Sequence, residues 1–151
     1  MDAHALAEQT GHSYNGGVFS VTQELPFCYG HRLLDHPGKC GRLHGHNGVA
    51  RITLRAPELD RQGMVADFDA IERSVRAFLE ETLDHRMLLH RDDPVCAALR
   101  TAGEPFVSLD FSPTAENIAR MIFEHAKRAG FPVVEVQLVE LQGSIAGYSP
   151  G

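Results

Sequence analysis

Four residues that could bind a metal ion or transfer a proton lie within sixteen positions of this chain, in the order His31, Cys40, His44 and His46. His44 and His46 are separated by one residue, so on an extended strand both side chains leave the same face. Their Cα atoms would then be roughly 6–7 Å apart, a span that two imidazoles can close around one ion. With His31 as a third nitrogen ligand, the set matches a catalytic zinc that keeps one coordination position open. The residues therefore predict a zinc enzyme.

Cys40 allows three interpretations. As a fourth ligand it would close the metal site and make the zinc structural. As a free thiolate near a cation, flanked by Lys39 and Arg42, it would serve as a base or nucleophile. An inert buried thiol is the least favoured, because the surrounding loop is polar and rich in glycine. Cys28 and Cys96 are assigned to packing.

Two further positions carry acid–base groups. Asp84-His85 follows a predicted helix, and a carboxylate that orients an imidazole is a common proton-transfer device. A histidine that simply interacts with the helix dipole is an equally supported alternative. Glu140 continues the apolar face of a predicted strand, so its carboxylate must be paired, ligated or bound to something. The alternative is that the strand emerges into solvent at this point.

Composition indicates the class of protein. The chain has 151 residues, 43% of them hydrophobic, which suits one folded domain. A net charge of −6 disfavours nonspecific binding to nucleic acid or to anionic membranes. No apolar run approaches the roughly 18 residues of a membrane span, and the first ten residues lack a signal-peptide pattern. Three scattered cysteines make no disulfide framework. A cytoplasmic protein is expected.

Hydrophobic periodicity predicts the elements that position these residues. Residues 1–17 are expected to form a polar tail, and residues 18–151 a single domain. The predicted elements are strands over 18–27 and 48–56, a helix over 67–83, an irregular segment over 90–111 with a short helix near 95–100, a helix from about 112 to 130, and strands over 133–141 and 145–148. The order ββααββ predicts an α+β fold with two helices layered on an antiparallel sheet. Its exposed edges favour edge-to-edge oligomerisation.

Taken together, the sequence resembles the 6-pyruvoyl-tetrahydropterin synthase / 6-carboxytetrahydropterin synthase family from about Phe19 to Tyr148. Six blocks occur in family order: Phe-Cys-Tyr-Gly-His31, Cys40-Gly-Arg-Leu-His44-Gly-His46, Gly63-Met-Val-Ala-Asp67-Phe68, Leu83-Asp84-His85, Pro113-Thr114-Ala-Glu116-Asn117, and Val139-Glu140 followed by Tyr148. The resemblance implies the tunnelling fold (T-fold), in which ββααββ subunits join edge to edge. It also implies a homohexamer, a dimer of trimers, with active sites between subunits.

The same resemblance implies a role for each candidate residue. These roles are Zn²⁺ ligation by His31, His44 and His46, proton abstraction by Cys40, proton relay by Asp84 and His85 from a neighbouring subunit, and recognition of the pterin ring by Glu140. By family precedent, then, Cys40 is a base and not a ligand.

The implied substrate is 7,8-dihydroneopterin triphosphate. The spacing from Cys40 to His44 resembles the carboxy branch of the family, which releases triphosphate and acetaldehyde and serves the 7-deazaguanine (queuosine) pathway. The alternatives are the pyruvoyl branch, which eliminates triphosphate and retains the side chain, and a divergent paralogue that acts on or merely binds another pterin. A cupin-like metal protein is disfavoured, because no glutamate lies four or five residues beyond His46 and two helices interrupt the strands.

Several residues depart from the family pattern around the expected substrate. Gly48 stands where an aromatic residue is usual, and Tyr29-Gly30 replaces two alanines. Leu141 stands where threonine is frequent, and the segment from His85 to His90, including Leu89, lacks the usual asparagine. The segment 90–111 is longer than in compact members. These departures predict altered substrate surroundings around an intact set of zinc ligands and base.

Overall fold

The computed structural model describes residues 16–151, which build one six-stranded sheet and three α-helices. The elements are β1 (Phe19–His31), β2 (His44–Ala56), α1 (Phe68–Thr82), β3 (Arg86–His90), α2 (Val95–Ala102), β4 (Phe106–Leu109), α3 (Ala115–Arg128), β5 (Val133–Leu141) and β6 (Ser144–Tyr148). The strand order is β4-β3-β1-β2-β5-β6. The tail expected over 1–17 lies outside the described residues except for Gly16 and Gly17.

The antiparallel pair of β1 and β2 forms the centre of the sheet. Its register runs from Phe19 opposite Ala56 to His31 opposite His44. Both strands are longer than the hydrophobic alternation predicts, so the expected loop shortens to residues 32–43. Glycine permits this extension, because a Cβ atom at Gly45 would lie 2.8 Å from the carbonyl oxygen of Tyr29.

The two long helices confirm the predicted amphipathic patterns. Asp67 caps α1 by accepting a hydrogen bond from the Asp69 amide, and Thr114 caps α3 by accepting from the Asn117 amide. Both helices bury their apolar faces in the same core as alternate residues of β1, β2 and β5. The core face of the sheet is thereby covered, and the opposite face of each strand points away from these helices.

The segment 86–109 is more regular than predicted. It contains β3, α2 and β4, and both of its strands run parallel to their inner neighbours: β3 pairs with β1, and β4 with β3. The sheet is therefore mixed and not wholly antiparallel, and three helices replace the expected two. Strands of five and four residues are too short to show a period, which is why the pattern did not predict them. The short helix expected near 95–100 is present as α2.

Strands β4 and β6 form the two edges of the sheet. Two apolar side chains are exposed near the β6 edge: Leu141, the last residue of β5, is 62% exposed, and Ile145 of β6 is 49% exposed. Across residues 16–151, no helix combines the length and apolar character needed to cross a membrane.

Candidate metal and proton-transfer site

The three histidines meet at one end of the β1–β2 pair. His31 is the last residue of β1 and lies opposite His44, the first residue of β2, while His46 is two positions further along β2. The pleat therefore directs all three side chains to the core face. One nitrogen from each ring lies within 4.8 Å of the others, and the Nε2 atoms of His31 and His46 are 3.2 Å apart.

Backbone carbonyls orient two of the three rings. The Nδ1 atom of His31 is 2.7 Å from the Pro113 carbonyl oxygen, and that of His44 is 2.7 Å from the Arg42 carbonyl oxygen. A carbonyl accepts only from an N–H, so Nδ1 carries the proton and Nε2 keeps its lone pair. Burial lowers the pKa of His31 despite the opposing hydrogen bond to Pro113 and the charge of Glu140. The neutral, ligating form of His31 is thereby favoured.

The histidine cluster fits a zinc ion. Two nitrogens bound at 2.0–2.1 Å to one tetrahedral zinc are about 3.3 Å apart. The 3.2 Å separation between His31 Nε2 and His46 Nε2 agrees with this value. A set of three imidazoles also suits zinc better than calcium or magnesium, which prefer oxygen ligands.

Glu140 lies beside the same nitrogens. Its Oε1 atom is 3.7 Å from the Nε2 atoms of both His31 and His46. The Tyr29 hydroxyl donates a hydrogen bond to this Oε1 atom over 2.6 Å, and Tyr29 is 2% exposed. Burial and the bond to Glu140 raise the pKa of Tyr29, so the phenol remains a donor at neutral pH. The half-buried carboxylate is thus paired within the chain.

Cys40 shares a cavity with the cluster but is not part of it. A cavity of about 630 Å³ is lined by Cys40, the three histidines and Glu140, together with residues at the start of α3 and residues of β6. Cys40 lies on a single 3₁₀ turn over Lys39–Gly41, its thiol is free and exposed, and it is absent from the group of ligand atoms within 4.8 Å. The arrangement places a thiol at the wall of a cavity whose floor holds the nitrogen cluster.

Asp84 and His85 lie elsewhere. The Oδ1 atom of Asp84 accepts a 2.7 Å hydrogen bond from the Cys28 amide, and its Oδ2 atom is 2.7 Å from His85 Nδ1. Burial alone would raise the pKa of Asp84, but the hydrogen bonds from Cys28 and His85 lower it, so the carboxylate is charged. The His85 side chain is 78% exposed. The predicted carboxylate–imidazole pair therefore exists as a hydrogen-bonded unit.

This pair and Cys40 line different cavities. Asp84 and His85 face a space bordered by Cys28 and Asn47, whose side chains leave the sheet on the face opposite to Tyr29 and His46. Within one chain the structure brings together the histidines, Cys40 and Glu140. Asp84 and His85 lie outside that cavity, although His85 and His44 both border a further cavity of about 490 Å³.

Sequence reasoning missed two supporting contacts. Tyr29 was noted only as a departure, although its position two residues before His31 places it on the same strand face. Arg32 makes a bidentate ion pair with Asp93, with N–O distances of 2.5 and 2.6 Å, and Asp93 is 2% exposed. Asp93 also accepts from the Val95 amide at the start of α2. No sequence signal links residues 61 positions apart.

Comparison with known proteins gives consistent matches. Residues 20–150 match the family described as 6-pyruvoyl tetrahydropterin synthase. A 6-carboxy-5,6,7,8-tetrahydropterin synthase of Rickettsia conorii is 36% identical over 117 residues, which cover 76% of this chain and 82% of that protein. The protein of the same name from Aquifex aeolicus is 32% identical over 123 residues, covering 73% of this chain and 75% of that protein.

Solved structures show the same fold. An uncharacterised protein from Wolinella succinogenes superposes with a TM-score of 0.73 at 27% identity, over 89% of this chain and 99% of that one. The 6-pyruvoyl tetrahydropterin synthase of Caenorhabditis elegans superposes with a TM-score of 0.66 at 23% identity, over 89% and 97% of the two chains. The T-fold expected from the sequence is confirmed.

Proposed function

The chain belongs to the 6-pyruvoyl tetrahydropterin synthase family, and from this premise we propose that it is a zinc-dependent 6-carboxy-5,6,7,8-tetrahydropterin synthase. The proposed reaction converts 7,8-dihydroneopterin triphosphate and water into 6-carboxytetrahydropterin, triphosphate and acetaldehyde. The observation that carries the proposal is the cavity that combines three convergent histidines with Cys40 and Glu140. The names of the relatives from Rickettsia and Aquifex support the carboxy product.

The two ends of the substrate would bind to different groups in this cavity. Glu140 would accept hydrogen bonds from the 2-amino group and N3–H of the pterin ring, a parallel pair of donors that suits a carboxylate. His31, His44 and His46 would hold the zinc ion, which when bound supplies Lewis-acid polarisation to the oxygens of the substrate side chain. The substrate side chain would then lie against the cavity wall that carries Cys40.

Cys40 would remove the carbon-bound proton next to the polarised oxygen. Its thiol is exposed and free of any disulfide, and it would act as the thiolate after losing its own proton. His85 would exchange the second proton with a side-chain oxygen, and Asp84 would hold the imidazole in position through their 2.7 Å hydrogen bond. These two residues line another cavity of their own chain, so the pair acting on a given substrate would come from a neighbouring subunit.

Edge-to-edge assembly would supply that neighbour. The outer sides of both edge strands, β4 and β6, are unpaired within the described chain, and Ile145 of β6 and Leu141 at the adjoining end of β5 are exposed. A homohexamer made of two trimers would pair these edges and bring Asp84 and His85 to the next cavity. The free edges are the support for this assembly in the single chain.

Incubation of the zinc-loaded protein with 7,8-dihydroneopterin triphosphate tests the proposal. Mass spectrometry should detect 6-carboxytetrahydropterin and, after trapping, one equivalent of acetaldehyde. A diketone tetrahydropterin without acetaldehyde would assign the chain to the pyruvoyl branch. Absence of turnover by a protein with one zinc per chain would contradict both reactions and favour a paralogue that acts on or binds another pterin.

A further inference from the structure

We infer that Tyr29 is a positioning residue that fixes the substrate-recognising carboxylate of Glu140, and that Gly48 is the residue that leaves room for it. The inference rests on the proposed function in one respect, because it takes Glu140 as the group that recognises the substrate. The contact itself is independent of the substrate and can be tested without it.

The first observation is the contact between the two side chains. The phenol hydroxyl donates to Glu140 Oε1 over 2.6 Å, between strands β1 and β5 that are not neighbours in the sheet. The Tyr29 ring is held by a stacked contact with Phe27, with ring centroids 5.2 Å apart, and by an edge contact with His31 at 5.3 Å. A ring packed on both sides gives its hydroxyl one position.

The second observation is the space that the ring occupies. A Cβ atom at Gly48 would lie 3.1 Å from the Cε1 atom of Tyr29 and 3.5 Å from both Leu138 Cδ1 and the Val139 carbonyl oxygen. Residues on neighbouring strands at such diagonal positions contact each other when one of them is aromatic. The Tyr29 ring therefore fits because Gly48 has no side chain, and the ring crosses over β2 to reach Glu140.

The hydrogen bond from Tyr29 limits the positions that the Glu140 carboxylate can take. A glutamate has three side-chain torsions, and fixing such a chain when a ligand binds costs affinity. The bond from Tyr29 orders Glu140 before the ligand arrives and occupies one acceptor site on Oε1. The remaining acceptor sites of the carboxylate stay available for two parallel N–H donors of a planar heterocycle.

Infrared spectroscopy of the zinc-loaded protein tests the contact. The antisymmetric carboxylate stretch of Glu140 is identified from the difference between the wild type and Glu140→Gln. We expect Tyr29→Phe to shift this band, because it removes the hydroxyl and keeps the ring. Tyr148→Phe is the matched control, since its ring packs against Phe123 at 5.0 Å, and it should leave the band in place.

Gly48→Ala tests the second half of the inference with the same measurement. The added methyl group requires the ring to shift by a few tenths of an ångström, so we expect the same band to move although both bonded residues are intact. An unshifted Glu140 band in Tyr29→Phe would overturn the inference. An unshifted band in Gly48→Ala would overturn the role given to Gly48.

Binding of neopterin, an unreactive pterin, connects the contact to recognition. We expect Tyr29→Phe to weaken the Kd about tenfold, as for a lost hydrogen bond to a charged group, and Glu140→Gln to weaken it further. Loss of binding in Glu140→Gln with an unchanged Kd in Tyr29→Phe would overturn the positioning role. A wild type that binds no neopterin while the band moves in both variants would support the contact and contradict the pterin function.

Discussion

The histidine cluster is assembled inside one chain, whereas the Asp84–His85 pair is turned outward from it. His31 is 3% exposed and its ring is fixed by the Pro113 carbonyl, while the His85 side chain is 78% exposed and hydrogen-bonds to the carboxylate beside it. The cavity that holds the three histidines and Cys40 contains neither Asp84 nor His85, although His44 and His85 both border another cavity.

The proposed roles of the two groups account for this difference. A metal site requires three nitrogens within a few tenths of an ångström of their places, and a β-strand register with backbone carbonyls behind the rings provides that precision. A proton-relay pair needs only one fixed carboxylate and a ring that can reach a substrate. Asp84 is fixed by the Cys28 amide, and the exposed His85 ring could meet a substrate bound to another subunit under the proposed assembly.

The largest effect is expected at the histidine cluster, which is assembled within one chain. His46→Ala removes one of three ligands, so the protein should lose its bound zinc, and turnover should fall by about 10³-fold or more because Lewis-acid stabilisation is lost. Metal analysis and product formation measure the two effects. His36→Ala is the matched control, since His36 is an exposed histidine of the neighbouring loop. Zinc retained at one equivalent in His46→Ala would contradict the assigned ligand set.

Cys40→Ala separates the base from the ligands. We expect about a 10²- to 10⁴-fold fall in kcat, the range for a removed proton-transfer group, with zinc content unchanged. Zinc content and kcat are measured on the same preparation. Loss of zinc in this variant would make Cys40 a fourth ligand and would mean that the cluster is not complete with three nitrogens.

The histidine cluster could be predicted from sequence because its signal is local. His44 and His46 need only an extended strand to share a face, and His31 needs only the hairpin that joins β1 to β2. The capped helices were also predictable, since Asp67 and Thr114 precede clear amphipathic patterns. In each case the residues that interact are near neighbours in sequence or lie on adjacent strands.

The supporting contacts could not be predicted because they join distant positions. Tyr29 and Glu140 are 111 residues apart, and Arg32 and Asp93 are 61 apart. No periodicity connects such pairs, and only the sheet order places them together. The same reason hid β3 and β4, whose parallel pairing is a property of the topology and not of either short strand.

His85→Ala tests the outward-facing Asp84–His85 pair. We expect kcat to fall about 10²-fold while zinc is retained. A mixture of two variants shows whether His85 of one subunit acts together with Cys40 of another. Unfolding and refolding equal amounts of His85→Ala and Cys40→Ala together should restore activity to about a quarter of wild type, because one site in four then combines two intact residues from different chains. Activity no higher than that of the separate variants would place both residues in a single chain's site.

The smallest effect should come from a change at Asp93, which supports the histidine cluster from outside its cavity. Burial alone would raise the pKa of Asp93, but the Arg32 guanidinium lowers it. The stabilisation is therefore fully present above the unfolded pKa of about 3.9 and is lost as pH falls through the lower folded value. Asp93→Asn should reduce the free energy of unfolding by about 3 kcal/mol at pH 7, as measured by urea denaturation.

The difference between wild type and Asp93→Asn should then shrink below about pH 4, since both side chains are neutral in acid. Asp110→Asn is the control, because its ion pair with Arg91 is 79% exposed on the aspartate side, and it should leave stability unchanged. A difference that stays constant down to acid pH would show that the loss does not depend on the charge of Asp93, since the asparagine oxygen can still accept from the Val95 amide. In that case the strand end that carries His31 would depend less on charge than its geometry indicates.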